Sequence, residues 1–273
     1  MNYQTFQPHS DLESLVKCYW TLEVPAQKDS QKQRIIPDGC IELIFILGDD
    51  IKRITSGDRF IIQPRAFILG QITEPFYVEP EGYVNSFAVR FYPCGFANFV
   101  SMHIKKLANK ETPIELLFGE KPSKELKLKI LQANDTDKRI KIIEDFMLDI
   151  LKDQAAIDNI VKSTIDALFS TRGSTSINSI LKDELYKRRQ LERKFFKQVG
   201  MSPKQLGKVI RLQTALKMLL NHRSGNLTKI AYESDYYDQA HFIKDFKKFT
   251  GTTPKQFLKD DNMALSALFY KTD

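Results

Sequence analysis

Two arginines one helical turn apart have the chemistry to read DNA bases. The sequence predicts a helix over Lys187–Gln198. With Leu191 and Phe195 facing inward, a step of about 100° per residue places Arg189 and Arg193 on the opposite face. Such a pair of guanidinium groups suits bidentate hydrogen bonds to guanine O6 and N7. A solvated helix face is the alternative for either residue alone, and for the two together we favour base contact.

A second predicted helix, about Asp238–Phe249, presents a similar outward face. Phe242 and Phe246 lie one turn apart and define its inward side. The outward positions are held by Ala240, His241 and Lys244. Further basic residues suit phosphate contacts, which orient a protein on DNA without reading its sequence. These candidates are Lys197, Lys208, Arg211, Lys247 and Lys248.

The second helix belongs to a predicted helix-turn-helix. A short helix is expected over Leu227–Glu233, and Asp235 follows it where the chain must reverse and where Asp tolerates a positive φ. Thr253 and Pro254 have the residue types of a helix N-cap and first helical position.

The same pattern occurs 51 residues earlier, since Phe242, Phe246 and Gly251 fall on Leu191, Phe195 and Gly200, and Thr253–Gln256 (TPKQ) falls on Ser202–Gln205 (SPKQ). We therefore predict two copies of one unit, the first over Thr175–Gly200. The intervening helix, Pro203–Asn221, spans roughly 28 Å at 1.5 Å per residue. Major-groove segments on one face of B-DNA lie about 34 Å apart, so one helix could hold both units over adjacent turns.

The region Ser174–Lys259 resembles the DNA-binding domain of AraC/XylS-type transcription regulators. The matching stretches are RRQLERKFFKQVGMSPKQL, RLQTALKMLL and IAYESDYYDQAHFIKDFKKFTGTTPKQF. Ile180 stands where the family's first unit usually has a small residue, and Asp235 stands where the second turn usually has Gly. The resemblance implies a regulator that binds double-stranded promoter or operator DNA, with RNA polymerase and a second copy of the chain as further candidate partners. The family's base-contacting positions coincide with Arg189, Glu192, Arg193, Ala240, His241 and Lys244.

The charge distribution agrees with a DNA-binding C-terminal third. From Thr171 onward there are 20 Lys and Arg against 10 Asp and Glu, a net of +10, whereas residues 1–170 hold 21 against 24, a net of −3. A basic excess confined to one region is expected where that region meets phosphates. Charge alone would suit a solvated basic surface equally well.

Other function classes find little support. Cys18, Cys40 and Cys94 are too far apart for a metal-ligand motif, and His9 is the only histidine in residues 1–102. We therefore expect no bound metal and no cofactor. Neither G-x-S-x-G nor G-x-G-x-x-G occurs, so we expect no enzyme and no catalytic residue. The first residues lack signal-peptide features, and the longest apolar run is too short to cross a bilayer, which predicts a cytoplasmic protein.

The first hundred residues predict an antiparallel β domain, because short β-prone segments alternate with Gly, Pro and Asp. The expected strands are Cys18–Val24, two strands within Arg34–Leu47 separated by Pro37-Asp38-Gly39, Ile51–Ser56, Phe60–Gln63, Ala66–Ile72, Phe76–Glu79 and Val84–Tyr92. RIIPDGCIELIF and SFAVRFYPCGFANFV are similar to the cupin-like sensor domains of AraC-type regulators. That resemblance implies a sensor for an unidentified effector. Weak candidates to contact it are Arg34, Asp38, Glu42 and Arg90, for which we favour structural ion pairing over ligand binding.

We expect an α+β protein: an N-terminal antiparallel β-barrel (cupin-like) with flanking helices, and a C-terminal all-α domain of two helix-turn-helix units joined by a long helix. The predicted divisions are a β-barrel sensor at 1–120, a helical connector at 121–170, a linker at 171–176, the DNA-binding domain at 177–262 and a tail at 263–273. The connector's apolar stripes would either pack on the barrel, which we favour, or pair with a second subunit in a dimer. The connector's three amphipathic helices are Ser123–Leu131, Asp137–Lys152 and Ala156–Ser170. The alternative function is a small-molecule-binding or catalytic β-barrel with a DNA-binding appendage.

Overall fold

The computed structural model describes residues 1–26, 31–55, 59–151, 157–182, 185–221 and 227–272. Ten strands form two antiparallel sheets in the N-terminal region. The strands are β1 (Asn2–Phe6), β2 (Val16–Val24), β3 (Gln33–Ile35), β4 (Ile41–Ile46), β5 (Ile51–Ile54), β6 (Phe60–Ile62), β7 (Ala66–Leu69), β8 (Phe76–Pro80), β9 (Val84–Phe91) and β10 (Glu111–Pro113). The larger sheet has the order β1-β2-β9-β4-β7-β10 and the smaller one β3-β8-β5-β6.

The predicted α+β class is confirmed, and all seven segments expected to hold strands contain them. Ser56, the end of one predicted strand, lies outside the described residues. Two strands were missed, β1 and β10, which form the edges of the larger sheet. The described strands form two separate sheets, so closure into a barrel stays a prediction.

The larger sheet is buried on both faces because alternate side chains of its central strands enter different cores. In β4, Leu43 and Phe45 face a core shared with the helices that follow the β domain. The intervening positions, Glu42 and Ile44, face the smaller sheet and line a cavity between the two sheets. This double burial explains why β4 reads as a nearly continuous apolar run with one carboxylate in it.

Eleven α-helices lie within the described residues. They are α1 (Glu115–Phe118), α2 (Glu120–Gln132), α3 (Thr136–Ile150), α4 (Asn159–Ser170), α5 (Ile177–Ile180), α6 (Arg188–Gln198), α7 (Pro203–Asn221), α8 (Leu227–Glu233), α9 (Gln239–Thr250), α10 (Pro254–Phe257) and α11 (Ala264–Thr272). The bounds of α7 and α8 are those predicted. A short 3₁₀ helix, Gly95–Asn98, follows β9.

The three helices of the predicted connector divide between two cores. Ile143 and Met147 of α3 pack with α2 against the larger sheet. Helix α4 instead packs on the C-terminal region, where Val161 and Leu168 share a core with Phe195 of α6. Residues 152–156, between the two helices, lie outside the described part of the chain. By packing, α4 therefore belongs with the DNA-binding region.

The predicted linker also packs against α7. Gly173 has a φ of 75°, and a Cβ atom there would lie 2.0 Å from the carbonyl oxygen of Gly207. Its own carbonyl oxygen accepts a hydrogen bond of 2.7 Å from the Arg211 guanidinium. Glycine is needed at this position because the φ is left-handed and the neighbouring backbone leaves no room for a side chain.

The predicted repeat is visible in hydrogen bonds. The Ser202 hydroxyl accepts from the backbone N–H of Gln205 at 3.2 Å, and the Gln205 amide oxygen accepts from the backbone N–H of Ser202 at 3.2 Å. Thr253 and Gln256 form the same reciprocal box, at 3.4 and 3.1 Å. Two matching caps at one sequence offset support the duplication of a structural unit.

The β domain docks directly on the C-terminal region through the turn between β3 and β4. The carbonyl oxygen of Asp38 accepts a hydrogen bond from the Gln213 side chain of α7. Gly39, at a φ of 79°, lies so close to Leu206 that an added Cβ atom would be 3.1 Å from its Cδ1. Ile36 enters the core of the second helix-turn-helix unit. The two regions therefore share packed surfaces.

Candidate nucleic-acid interface and ligand pocket

The exposed face of α6 carries the predicted arginine pair. Leu191 and Phe195 are fully buried and fix the rotation of the helix. Arg189 and Arg193 are exposed on the opposite side. Glu192 is half-buried on the flank, with Oε1 3.5 Å from the Arg188 Nε. An exposed pair of guanidinium groups on a helix with an anchored inner face is suited to contact base edges in the major groove.

Helix α9 is anchored in the same way by Phe242 and Phe246, which are also fully buried. Asp238 is its N-cap and accepts a hydrogen bond of 2.7 Å from the backbone N–H of His241. This cap begins the helix immediately before the outward positions. Ala240 and Lys244 are exposed, whereas His241 is half-buried with Nε2 3.5 Å from the Asp245 Oδ2. Ala240 offers a small apolar contact and Lys244 a mobile cation.

The predicted turn before α9 has the expected backbone. Asp235 adopts a φ of 58°, which Asp tolerates better than most residues. Ile230 and Ala231 of α8 are buried against α9. The helix-turn-helix geometry of this second unit therefore follows from its own side chains.

The five predicted phosphate contacts fall into two groups. Lys197, Lys247 and Lys248 are exposed near the C-terminal ends of α6 and α9. Lys208 instead forms an ion pair with the buried Asp245, with Nζ–Oδ distances of 2.8 and 3.1 Å. This pair joins α7 to α9. It leaves the three exposed lysines as the better phosphate candidates.

Arg211 also has internal partners. Its guanidinium donates to the Gly173 carbonyl and lies 5.2 Å from the centre of the Tyr236 ring. The residue thus ties α7 both to the segment after α4 and to the turn before α9. The predictions of phosphate contact for Lys208 and Arg211 remain untested, and either contact would compete with these bonds.

The β domain also touches the flank of the first candidate reading helix. Lys105 Nζ lies 4.6 Å from the centre of the Phe196 ring on α6. Ile104, in the same 3₁₀ helix (Ile104–Leu107), lies against Gly200 at the end of the unit. Phe196 lies one turn after Arg193 on α6 (i, i+3), so this contact borders the arginine face.

Two protein-family models match separate segments of the chain. A helix-turn-helix domain model matches residues 183–260. The C-terminal domain is an AraC-type helix-turn-helix domain. A domain family of unknown function (DUF6597) matches residues 4–113, and no curated protein matches the chain. The family match to the AraC-type domain begins after α4, although α4 supplies part of its core.

Solved structures to which this chain shows similarity include ToxT from Vibrio cholerae. A 1.65 Å structure of ToxT has 13% identity and a TM-score of 0.49, and the alignment covers 97% of this chain and 100% of the ToxT chain. For ToxT bound to an unsaturated fatty acid the identity is 15% and the TM-score is 0.46, and the alignment covers 88% of this chain and 94% of the ToxT chain. For ToxT bound to (E)-4-(8-methylnaphthalen-1-yl)but-3-enoic acid the identity is 14% and the TM-score is 0.48, and the alignment covers 95% of this chain and 99% of the ToxT chain. These similarities are distant.

A cavity of about 260 Å³ lies between the two sheets of the β domain. Its wall is mainly aliphatic and aromatic, with Trp20 and Ile44 from the larger sheet and Phe76 and Val78 from the smaller one. The polar side chains in the wall are Gln31, Gln33, Glu42, Gln63 and Ser86. A concave apolar site with a few polar groups is the usual form of a small-molecule pocket.

The cavity has a further wall from the other end of the chain. Ala264 and Leu265, at the start of α11, are lining residues. Leu265 and Leu268 pack against Trp20 and Leu22. The backbone N–H of Leu265 donates to the Gln33 side chain at 3.1 Å, which fixes α11 on β3. The sequence predicts only a tail at 263–273, because the apolar period of so short a segment does not reveal which surface it packs on.

The four weak effector candidates divide between the pocket and the domain contact. Glu42 lines the cavity and lies 2.7 Å from the buried Arg90 Nε, directly across the β4–β9 ladder. Asp38 Oδ2 is 3.8 Å from the same nitrogen. Arg34 lies elsewhere, paired with Tyr77, Thr250 and Asp260. Only Glu42 of these four is among the lining residues.

Two features of the described residues concern metal binding and membrane insertion. No group of three or more His, Cys, Asp or Glu within the described ranges is placed to hold a metal ion. Among the helices described above, none combines the length and the apolar character needed to cross a membrane.

Proposed function

We propose that this protein is a sequence-specific, AraC-type transcription regulator whose DNA binding responds to a small effector in the β-domain pocket. The DNA-binding part rests on α6 and α9, each anchored by two buried side chains and each presenting exposed cationic residues. Helix α7 connects the two units. Its 19 residues give a length of roughly 28 Å, close to the spacing of about 34 Å between successive major-groove segments.

The observation that carries the effector-responsive part is the position of α11. This helix lines the cavity with Leu265, and it directly follows Met263, which is buried in the core of the second helix-turn-helix unit. The Ser266 hydroxyl, itself buried, donates to the Arg34 carbonyl oxygen at 2.6 Å. A ligand that moves or stabilises α11 therefore acts on an element fixed to the DNA-binding domain.

Effector and DNA must then influence each other through the same free energy. A ligand shifts a conformational equilibrium only by its difference in affinity for the two states. If DNA binding favours one position of α11, the protein's affinity for the effector changes when operator DNA is bound. The effector then changes the affinity for DNA by the same factor. This route is shorter than one through α2 and α3, which pack on the β domain itself.

DNA binding is tested with the full-length protein and a randomised duplex library. We expect enrichment of a defined sequence, bound with an affinity that falls steeply with salt. Three phosphate contacts, from Lys197, Lys247 and Lys248, would give a log–log slope of roughly −3. Failure to enrich any sequence, or binding that is indifferent to salt, would refute the proposal.

The effector response is tested with a variant that ends at Met263. Small molecules that raise the melting temperature of the full-length protein are titrated by calorimetry with and without the selected duplex. We expect at least one to bind with a DNA-dependent affinity, and we expect the dependence to vanish in the truncated variant. Leu128→Ala, at an exposed position of α2, is the matched control and should keep the response. Equal affinities in both titrations of the full-length protein would exclude signalling between the two sites.

A further inference from the structure

The electrostatics of the cavity wall restrict which ligands it accepts. Among the described side chains that line it, Glu42 alone is charged. The other lining side chains are apolar or carry a neutral amide, an indole N–H or a hydroxyl, and Met1, which carries the α-amino group, is also a lining residue. In such surroundings a charged ligand group loses its hydration and requires an opposite charge or hydrogen bonds in return. The sign of the charge around Glu42 therefore decides the class of ligand.

Glu42 belongs to a buried charged cluster with Arg90 and Asp38. Its Oε1 accepts hydrogen bonds from Arg90 Nε at 2.7 Å and from Trp20 Nε1 at 3.0 Å. Asp38 Oδ2 is 3.8 Å from the same Arg90 nitrogen. One guanidinium thus faces two carboxyl groups. Arg90 is 2% exposed and is not itself a lining residue, so a ligand meets the carboxylate rather than the cation.

The Glu42 carboxyl group lines the cavity, and the hydrogen bonds from Arg90 and Trp20 given above both end on its Oε1. Burial raises the pKa of the Glu42 carboxyl, and the charge of Arg90 opposes that rise. A carboxyl group held this way gains from a hydrogen-bond donor or a cation and is repelled by an anion.

We propose that the cavity binds a largely hydrocarbon molecule that is neutral or cationic and donates a hydrogen bond to Glu42, and that it rejects carboxylates and other anions. This inference rests on the proposed function, since the molecule would be the effector. The cavity volume of about 260 Å³ is slightly smaller than that of typical small-molecule pockets, which is about 300–1,000 Å³. The ligand is therefore expected to be smaller than a drug-sized molecule.

Two fluorescent probes with the same aromatic frame test the charge preference. N-phenyl-1-naphthylamine is neutral and carries an N–H donor, and 8-anilino-1-naphthalenesulfonate adds a sulfonate to the same rings. With the full-length protein at pH 8, we expect the neutral probe to bind at least tenfold more tightly. Displacement of that probe by decan-1-ol and decylamine, but not by decanoate, should show the same preference without an aromatic ring. Equal or tighter binding of sulfonate or decanoate would overturn the proposal.

Two variants locate the binding site. Ile44→Trp fills the cavity from the larger sheet and should abolish binding of the neutral probe; unchanged binding would mean that the probe lies elsewhere and would overturn the proposal. Glu42→Gln removes the carboxylate and leaves Arg90 with Asp38 alone, so the tenfold preference should shrink or reverse. If Glu42→Gln does not fold, displacement of the neutral probe from the wild-type protein by decan-1-ol, decylamine and decanoate still tests the charge preference.

DNA binding, measured in parallel on the selected duplex, separates this inference from the proposed function. Tight binding of decanoate together with intact DNA binding would overturn the ligand class and leave the regulator standing. Loss of any sequence preference for DNA would refute the regulator, whatever the probes bind.

Discussion

Arg34 joins the β domain to the DNA-binding domain, and its removal should uncouple them. The side chain extends from β3. Its Nε donates to the Tyr77 hydroxyl at 2.8 Å, and one terminal nitrogen donates to the Thr250 carbonyl oxygen at the end of α9, at 3.1 Å. The other lies 3.3 Å from the Asp260 Oδ2. Arg34→Ala would remove all of these bonds together.

The size of the effect follows from burial. The side chains of Arg34 and Asp260 are 11% and 19% exposed, so the carboxylate is left with little hydration when its partner is removed. Breaking a buried ion pair costs about 3–5 kcal/mol, and partial exposure reduces this to roughly 2–4 kcal/mol. In proteins of about 150–250 residues, a loss of 1 kcal/mol lowers the melting temperature by about 2–4 °C. A loss of about 3 kcal/mol, the middle of the range, should therefore lower it by about 6–12 °C.

Differential scanning calorimetry of the full-length protein is the assay. We expect Arg34→Ala to lower the transition temperature and to split one transition into two, because the domains lose a shared contact. Arg65→Ala is the control: Arg65 pairs with Asp50, and both are 40–50% exposed on the β domain, so its loss should cost less than about 1 kcal/mol. A single transition, shifted no more than in the control, would show that Arg34 does not hold the domains together.

Three further predictions concern the DNA-binding domain and the cysteines. Arg193→Ala should cost about 1–3 kcal/mol on the selected duplex and relax preference at one base pair, whereas Lys247→Ala should weaken all sequences equally and reduce the salt slope by about 1; anisotropy on a set of single-base variants distinguishes them. Gly173→Ala should destabilise by about 2–5 kcal/mol in urea unfolding, against about 1–2 for Gly119→Ala, where φ is also positive but the nearest atom is 3.8 Å away. Burial raises the pKa of the Cys94 thiol to about 11, so at pH 8 iodoacetamide should label it in urea but not in the folded protein, as peptide mass spectrometry would show.

The parts of the fold that depend on local chemistry could be predicted from the sequence. Helix α7 begins at a proline preceded by a serine cap, and its apolar stripe runs unbroken to Asn221, so both bounds follow from neighbouring residues. The positive φ of Asp235 and the cap at Thr253 are local in the same sense. The rotation of α6 and α9 followed from two aromatic or aliphatic anchors one turn apart.

Features that depend on distant partners could not be predicted. The stripe of α4 was visible, but a period does not reveal that Leu168 packs beside Gly207 of α7 in a core shared with α6. Lys208 and Arg211 look like solvated cations until Asp245 and Gly173 are brought beside them. Strand β1 has little apolar alternation and exists because β2 offers it an edge.

The position of α11 gives the pocket a particular order of construction. Every strand that lines the cavity precedes residue 92, whereas Leu265 comes more than 170 positions later. During synthesis the β domain leaves the ribosome and folds first, with its cavity open on the side that α11 later covers. Until α11 emerges, the nascent chain exposes Trp20 and Leu22 to chaperones or to premature ligand. A chain cut short after Met263 would retain every strand of the pocket and both helix-turn-helix units, and would lack the helix that touches both.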